Sequence, residues 1–364
     1  MADLLMLGVL LPLAVGYKNF VSQSLSAPAP KIRNPEKETC EAKTQWLRLR
    51  DGRILEFSTF GAQDGAAIFF FTGNHQTCNI LGAAAPLREQ FTNHNLRLVC
   101  PSYPGFGLSD ALLPGNTPPA VQWWPADIEQ LAEKLGIDKF YIISHSLGSM
   151  YATATIHAIP ERVLGCVLAS PIIPMPVQLT LDRRRPRSTR MLYNLLMKPH
   201  ARELVSISLA DNPMAMLKRA SPDSAKALEK MGKKGGQSGE IRDAIVADCN
   251  RAVANTWRGL ACAMELVSQS WGFELNELSD FAQSGKPLII AASPDDVTNP
   301  TEFHHWLNRE ISGSRLVTIN EGEGHLFLFE PRNLDFVISC LLEEGGNHHQ
   351  IQTWLEEEEE ENIL

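Results

Sequence analysis

The stretch Tyr141-Ile142-Ile143-Ser144-His145-Ser146-Leu147-Gly148-Ser149-Met150 decides how this chain is read. An apolar run over residues 140–143 ends at a serine, and a helical stretch follows at once. Small residues stand two positions before Ser146 (Ser144) and two after it (Gly148). Strand, sharp turn carrying a nucleophile, then helix is the layout of a nucleophile elbow, G-x-S-x-G. Such a turn lifts the serine oxygen above the sheet edge, and it brings strand and helix so close that the flanking side chains must be small. Here the first glycine is replaced by Ser144, so the pattern reads S-x-S-x-G. By itself this fits equally well a buried strand end that happens to carry serines. The reading depends on whether the rest of the chain supplies a base, an acid and donors for an oxyanion.

Outward from that stretch, strand and helix patterns alternate. Residues 46–50 and 54–57 flank Asp51-Gly52-Arg53, a hairpin signal. Residues 67–71, an uninterrupted apolar run, are expected to form a parallel strand buried on both faces. Further strands are expected at 96–100, 163–169, 287–292 and 315–319. Helical spacing covers 80–91, 118–136 (with Ile128, Leu131 and Leu135), the elbow helix to 159, 301–311 and 334–344. Strands alternating with helices imply an α/β fold, a mostly parallel sheet of the eight-stranded type flanked by helices. Between 176 and 271 the strand pattern disappears, and helices are expected at 190–197, 200–209, 225–233 and 241–266. The chain therefore divides into an apolar N-terminal segment and linker (1–43), a first core part (44–175), a helical cap (176–271), a second core part (272–346) and an acidic tail (347–364).

The 364 residues are 44% hydrophobic, enough for a full core, and carry a net charge of −9. That balance argues against non-specific nucleic-acid binding. Six consecutive glutamates at 356–361 contribute much of it and read as a solvated tail. The basic block Arg183-Arg184-Arg185-Pro186-Arg187 reads as an exposed loop, with contact to an anionic surface as the alternative. Seven widely spaced cysteines contain no C-x-x-C pair, which suggests neither a disulfide framework nor a zinc site and favours a reducing compartment. The apolar run 4–15 is shorter than the ~20 residues of a spanning helix. Extended to residue 21 it is interrupted by Lys18, and Met1-Ala2-Asp3 lacks the positive start of a secretory signal. Residues 4–21 therefore leave three readings open: a membrane-surface anchor, a cleaved signal, or an amphipathic arm packed on the domain. The expected location is cytoplasmic or membrane-associated.

Two further motifs sit at strand ends, where ligands of open parallel sheets bind. After the strand at 287–292 comes Ser293-Pro294-Asp295-Asp296-Val297-Thr298-Asn299-Pro300, and after that at 315–319 comes Glu321-Gly322-Glu323-Gly324-His325. Serine, acid and histidine thus follow in the order Ser…Asp…His, and the chain resembles the α/β-hydrolase family in this order. The resemblance runs from about residue 44 to 344. The loop after the third strand, Thr72-Gly73-Asn74-His75, keeps only the glycine of the family's His-Gly-x-Pro. The next loop, Ser102-Tyr103-Pro104-Gly105-Phe106-Gly107-Leu108-Ser109, keeps the glycines and final serine but has Ser102 for the leading Asp. In the acid loop Ser293 replaces a glycine, while Asp296 and Pro300 fit.

The resemblance implies a catalytic set of Ser146 as nucleophile, His325 as base and Asp296 as acid. Spacing to Ser293 and Pro300 favours Asp296 over Asp295. Serine needs a base to take its proton, histidine titrates near neutrality, and a carboxylate would hold the imidazole tautomer. The backbone N–H groups of Asn74 and Leu147 would form the oxyanion hole. No cofactor or metal is implied. The expected reaction is hydrolysis of an ester or related acyl compound, small or lipid-like, under a cap whose lining could include Met175, Met191, Met197, Met214 and Met216. Dehalogenases and epoxide hydrolases of this fold carry Asp at the elbow, which Ser146 argues against. Two alternatives stand beside this reading: a carbon–carbon bond hydrolase on the same fold, and a weakly catalytic or non-catalytic ligand-binding member, suggested by Thr72, Ser102, Ser144 and Ser293. Of the other candidates, His145 reads as a packing or hydrogen-bonding residue, and His75 as a residue of the pocket mouth or a solvated loop. The pairs His304-His305 and His348-His349 are not read as metal ligands, because adjacent residues do not face one way on a helix. Trp123-Trp124 are expected to pack on the sheet.

Overall fold

The computed structural model describes residues 34–112, 121–181, 206, 214, 221–319 and 324–342. Eight strands form one sheet: β1 Gln45–Arg48, β2 Ile54–Gly61, β3 Ala66–Phe71, β4 Leu96–Pro101, β5 Phe140–His145, β6 Val163–Ala169, β7 Leu288–Ala292 and β8 Arg315–Thr318. Their order is β1-β2-β4-β3-β5-β6-β7-β8. The pairs β1/β2 and β2/β4 are antiparallel, and the remaining neighbours are parallel. The mostly parallel eight-stranded sheet expected from the sequence is present.

The central strands are apolar at consecutive positions because helices cover both faces. In β3, Phe69 and Phe71 join one core while Ile68 and Phe70 join the other, and all four are inaccessible to solvent. Truncating any one of these phenylalanines to Ala is expected to cost about 3–5 kcal/mol. The described helices used below are α1 Pro35–Ala42, α2 Ala85–Asn93, α3 Trp124–Leu135, α4 Gly148–Ala158, α5 Met175–Leu181, α6 Pro222–Lys234, α7 Gly236–Val253, α8 Arg258–Ser268, α9 Thr301–Glu310 and α10 Pro331–Leu342. Helices α3, α4 and α9 send Ile128, Leu131, Met150, Tyr151, Phe303 and Leu307 into the first core. Helices α2 and α10 send Leu87, Phe91, Leu334 and Val337 into the second. Trp123 and Trp124 pack on the sheet in the first core: Trp124 is fully buried, edge-on to Phe71 and Tyr103.

Three sequence readings need correction. The single helix expected at 80–91 is two, Ile80–Ala83 and α2, with Ala84 extended between them. Pro86 has no N–H to continue the first helix, and its ring would meet a preceding carbonyl. The helix expected at 241–266 is broken into α7 and α8. At the break the Thr256 hydroxyl accepts the Arg258 N–H at 3.2 Å, and tertiary contacts hold both sides of it. Asn255 donates its side-chain N–H to the Gly107 carbonyl at 2.6 Å. Gly259 lies so close to Gly105 that a Cβ on it would stand 2.5 Å from the Gly105 oxygen. Within the stretch read as linker, Pro35–Ala42 form a helix, with the Asn34 side chain capping the Lys37 N–H at 3.1 Å. Residues 4–21, the basic block 183–187, the helices expected at 190–197 and 200–209, His348-His349 and the tail 347–364 include or fall among residues outside those described. Among the described residues no helix is long and apolar enough to cross a membrane.

Candidate active site

Ser146 sits between β5 and α4 with φ +51°. A non-glycine residue in that region carries strain of about 1–3 kcal/mol, tolerated when the surroundings over-determine it. The surroundings here do so. The Ser146 N–H bonds the Ala169 carbonyl at 2.9 Å, and the Ser146 carbonyl accepts the Ser149 hydroxyl at 2.8 Å. Gly148 opens α4 against the end of β3, where a Cβ would stand 2.2 Å from the Phe71 oxygen. This close approach is why the second glycine of the elbow is kept. The first is dispensable, because Ser144 points its hydroxyl sideways to the Val167 carbonyl of β6 at 3.1 Å.

The three residues named from the sequence come together. His325 lies in a 3-10 turn, Gly324–Phe329, between β8 and α10. Its Nε2 is 3.0 Å from Ser146 Oγ and its Nδ1 is 2.9 Å from Asp296 Oδ2. Ser146, Asp296 and His325 are all buried, at 8%, 3% and 6% exposure, so their mutual charges are weakly screened. Asp295, the rival acid, is not in this chain of contacts. Burial pushes the Asp296 pKa up, but the His325 charge and hydrogen bond, with the bond from the Asn299 N–H, outweigh it and hold the carboxyl below its ordinary range. Burial pushes His325 down, but Asp296, with a smaller contribution from Asp223, carries it above the ordinary histidine value.

Asn299 was not picked out from the sequence. Its N–H donates to Asp296 Oδ1 at 2.8 Å, and its side-chain N–H to the Ser170 carbonyl at 2.7 Å. A D-x-x-N spacing just past a strand end was the available signal. Asp223 at the start of α6 was also missed; it accepts from Thr298 Oγ1 at 2.9 Å and the Val297 N–H at 3.2 Å, bracing the acid loop from the helical insertion.

The loop after β3 is held on both sides. The Gly73 N–H bonds Gln76 Oε1 at 2.7 Å, the His75 N–H bonds Asn74 Oδ1 at 3.0 Å, and Tyr103 donates its hydroxyl to the Thr72 carbonyl at 2.9 Å. His75 is not a solvated loop residue: it is buried, has φ +60°, and burial lowers its pKa to about 4. His304 and His305 face different ways on α9, the first fully buried and the second exposed.

Behind the loop lies a second buried polar cluster. Glu56 of β2, wholly inaccessible, pairs with Arg251 of α7 and accepts the Leu108 N–H at 2.9 Å and the Ser102 hydroxyl at 3.1 Å. Arg251 also donates to Thr77 Oγ1 at 2.8 Å, and Asp248 takes the Thr77 N–H at 2.7 Å.

A sequence profile described as the alpha/beta hydrolase family matches residues 77–337, which include all three members of the serine–histidine–aspartate chain. The chain belongs to the alpha/beta hydrolase family. No curated protein matches it in sequence. Solved structures resemble this hydrolase in fold. A putative acyltransferase from Salmonella enterica has a TM-score of 0.61 at 17% identity, covering 82% of this chain and 94% of its own. An enol-lactonase from Burkholderia xenovorans has a TM-score of 0.57 at 17% identity, covering 82% and 100%. A thermophilic esterase from Thermogutta terrifontis has a TM-score of 0.54 at 18% identity, covering 81% and 96%.

Proposed function

We propose that this hydrolase cleaves an ester or related acyl bond, with Ser146 as nucleophile, His325 as general base and then acid, and Asp296 as the group that orients and charge-balances the imidazole. The observation that carries this reading is the unbroken hydrogen-bonded chain Ser146 Oγ–His325 Nε2 (3.0 Å) and His325 Nδ1–Asp296 Oδ2 (2.9 Å). Ser146 attacks the acyl carbon as its proton passes to His325 Nε2. The tetrahedral oxyanion collapses, His325 returns the proton to the leaving alcohol, and an acyl-serine remains. Water, deprotonated by His325, then releases the acid and restores the serine.

The Leu147 and Asn74 N–H groups are the donors for the oxyanion. Leu147 stands at the N-terminus of α4, where the first N–H groups have no helical acceptor and the helix dipole favours negative charge. The N–H groups either side of Asn74 are taken by Gln76 and by Asn74's own side chain, which leaves the Asn74 N–H for a ligand. One such donor is worth roughly 3–4 kcal/mol in the transition state. The helices between β6 and β7 form the cap over a small or lipid-like acyl substrate. A binding-only role is disfavoured, because a strained serine bonded to a histidine with a raised pKa has no need to exist in a passive pocket.

Labelling by a fluorophosphonate probe tests the reading. The wild type is expected to take the label, and Ser146→Ala and His325→Ala are expected to lose it. A folded wild type that stays unlabelled would count against an activated serine.

A further inference from the structure

His145, the residue just before the nucleophile, is 2% exposed and lies against His325 and the loop after β3. Its Nε2 lies 2.8 Å from the backbone carbonyl of His325. A carbonyl only accepts, so Nε2 carries the proton and Nδ1 is left with its lone pair. Nδ1 is buried and has no hydrogen-bond partner among the described residues. It faces the loop after β3, where a Cβ built on Gly73 would stand 2.7 Å away. The ring also packs edge-on against Phe329 at 5.1 Å and tilted against His325 at 4.9 Å. Burial, with the nearby His325, lowers its pKa to about 3, so it stays neutral throughout the working range of a histidine base.

We propose that His145 is a positioning residue for the reaction: its Nε2–H ties the backbone of His325 to the elbow, so that the imidazole pivots from a fixed point between Ser146 and the leaving group. This rests on the catalytic roles proposed above. His325 sits on a short, six-residue 3-10 element whose first residue, Gly324, has φ +55°. A 3-10 turn has poorer hydrogen-bond geometry than an α-helix and holds its own backbone weakly. The bond from His145 connects, across 180 residues of sequence, the strand that carries the nucleophile with the turn that carries the base. Because His145 precedes Ser146 directly, a shift of the elbow would carry the base with it, and their separation is preserved. Gly73 completes the arrangement. Any side chain there would push on the His145 ring, so the oxyanion loop and the base are coupled through one residue.

The test compares three variants at this position. Glutamine can place an amide N–H where Nε2 stands and keep the bond. Asparagine reaches only the Nδ1 position, and leucine has no donor. All are assayed with p-nitrophenyl acetate and by the rate of fluorophosphonate inactivation, with thermal melts to score only folded protein. His145→Gln is expected to stay within about threefold of wild type, while His145→Asn and His145→Leu lose about 100-fold in kcat at unchanged KM, the scale of a misplaced catalytic group. Should leucine prevent folding, the polar pair Gln and Asn carries the comparison alone. Equal activity in all variants, or an equal loss in Gln and Asn, would overturn the positioning role. A wild type that neither labels nor hydrolyses the ester would overturn the catalytic reading beneath it, which is a different outcome from a labelled wild type whose variants match it.

Discussion

Two buried charged clusters lie either side of the loop after β3, and they differ in kind. In one, Glu56 and Asp248 meet Arg251, a cation that does not lose its proton, and the surrounding N–H and hydroxyl groups of Thr44, Thr77, Ser102 and Leu108 all bond into it. In the other, Asp296 meets His325, whose free nitrogen points at a serine held at φ +51°. The first cluster is closed by its ion pair and hydrogen bonds, with burial raising the Asp248 pKa to about 7. The second is closed at its acid end and open at its serine end, where a proton can move. Burial of charge is common to both and so identifies neither as a site. A titratable link ending on a strained nucleophile distinguishes the second. The difference also divides labour: the Arg251 cluster clamps α7 of the insertion to the loop after β3, and the proposed chemistry is left to the His325 cluster.

Substitutions that open one cluster should leave the other standing. The largest effect belongs to Ser146→Ala, expected to lower kcat by about 10⁶-fold, as removal of a serine nucleophile does; ester turnover would measure it. Asp296→Asn is expected to cost about 10⁴-fold, because the imidazole tautomer is no longer fixed. It also carries a sign. Activity requires neutral His325, and the raised pKa means activity falls as pH drops through a value above the ordinary 6.5. Without the Asp296 charge the acidic limb of the pH–rate profile should move to lower pH. Arg251→Met should act on the other cluster and on stability instead. It leaves Glu56 buried without its cation, at a cost of about 3–5 kcal/mol in denaturant unfolding. The fluorophosphonate reactivity of the molecules still folded would change little. Pairing it with Glu56→Gln should recover part of that loss. The smallest effect separates two replacements of the nucleophile: Ser146→Gly should be more stable than Ser146→Ala by about 1 kcal/mol, since only glycine is relaxed at this φ.

The open cluster was legible in the sequence, and the closed one was not. Ser146, Asp296 and His325 each follow a strand, and a parallel sheet delivers the ends of its strands to one edge, so order along the chain was enough to join them. Glu56 and Arg251 are 195 residues apart and lie on a strand and on an insertion helix whose docking no periodicity reveals. Glu56 reads as the polar member of an alternating strand, a residue expected at the surface rather than at zero exposure. Two of the departures from the family pattern, Ser102 and Ser144, have physical partners. Ser102, standing where the family pattern has Asp, is small enough to share space with the Glu56 carboxylate and hydrogen-bonds to it. Ser144 is satisfied by β6. The close contact of Gly105 with Gly259 beside the break between α7 and α8 was hidden for the same reason as the clamp.

The central claim is that Ser146 becomes acylated. Acid-quenched turnover of p-nitrophenyl acetate, followed by peptide mapping, addresses it directly. An acetyl group is expected on the peptide that contains Ser146, absent from Ser146→Ala and from His325→Ala. An acetyl group found on another residue, or ester turnover that survives Ser146→Ala undiminished, would contradict it.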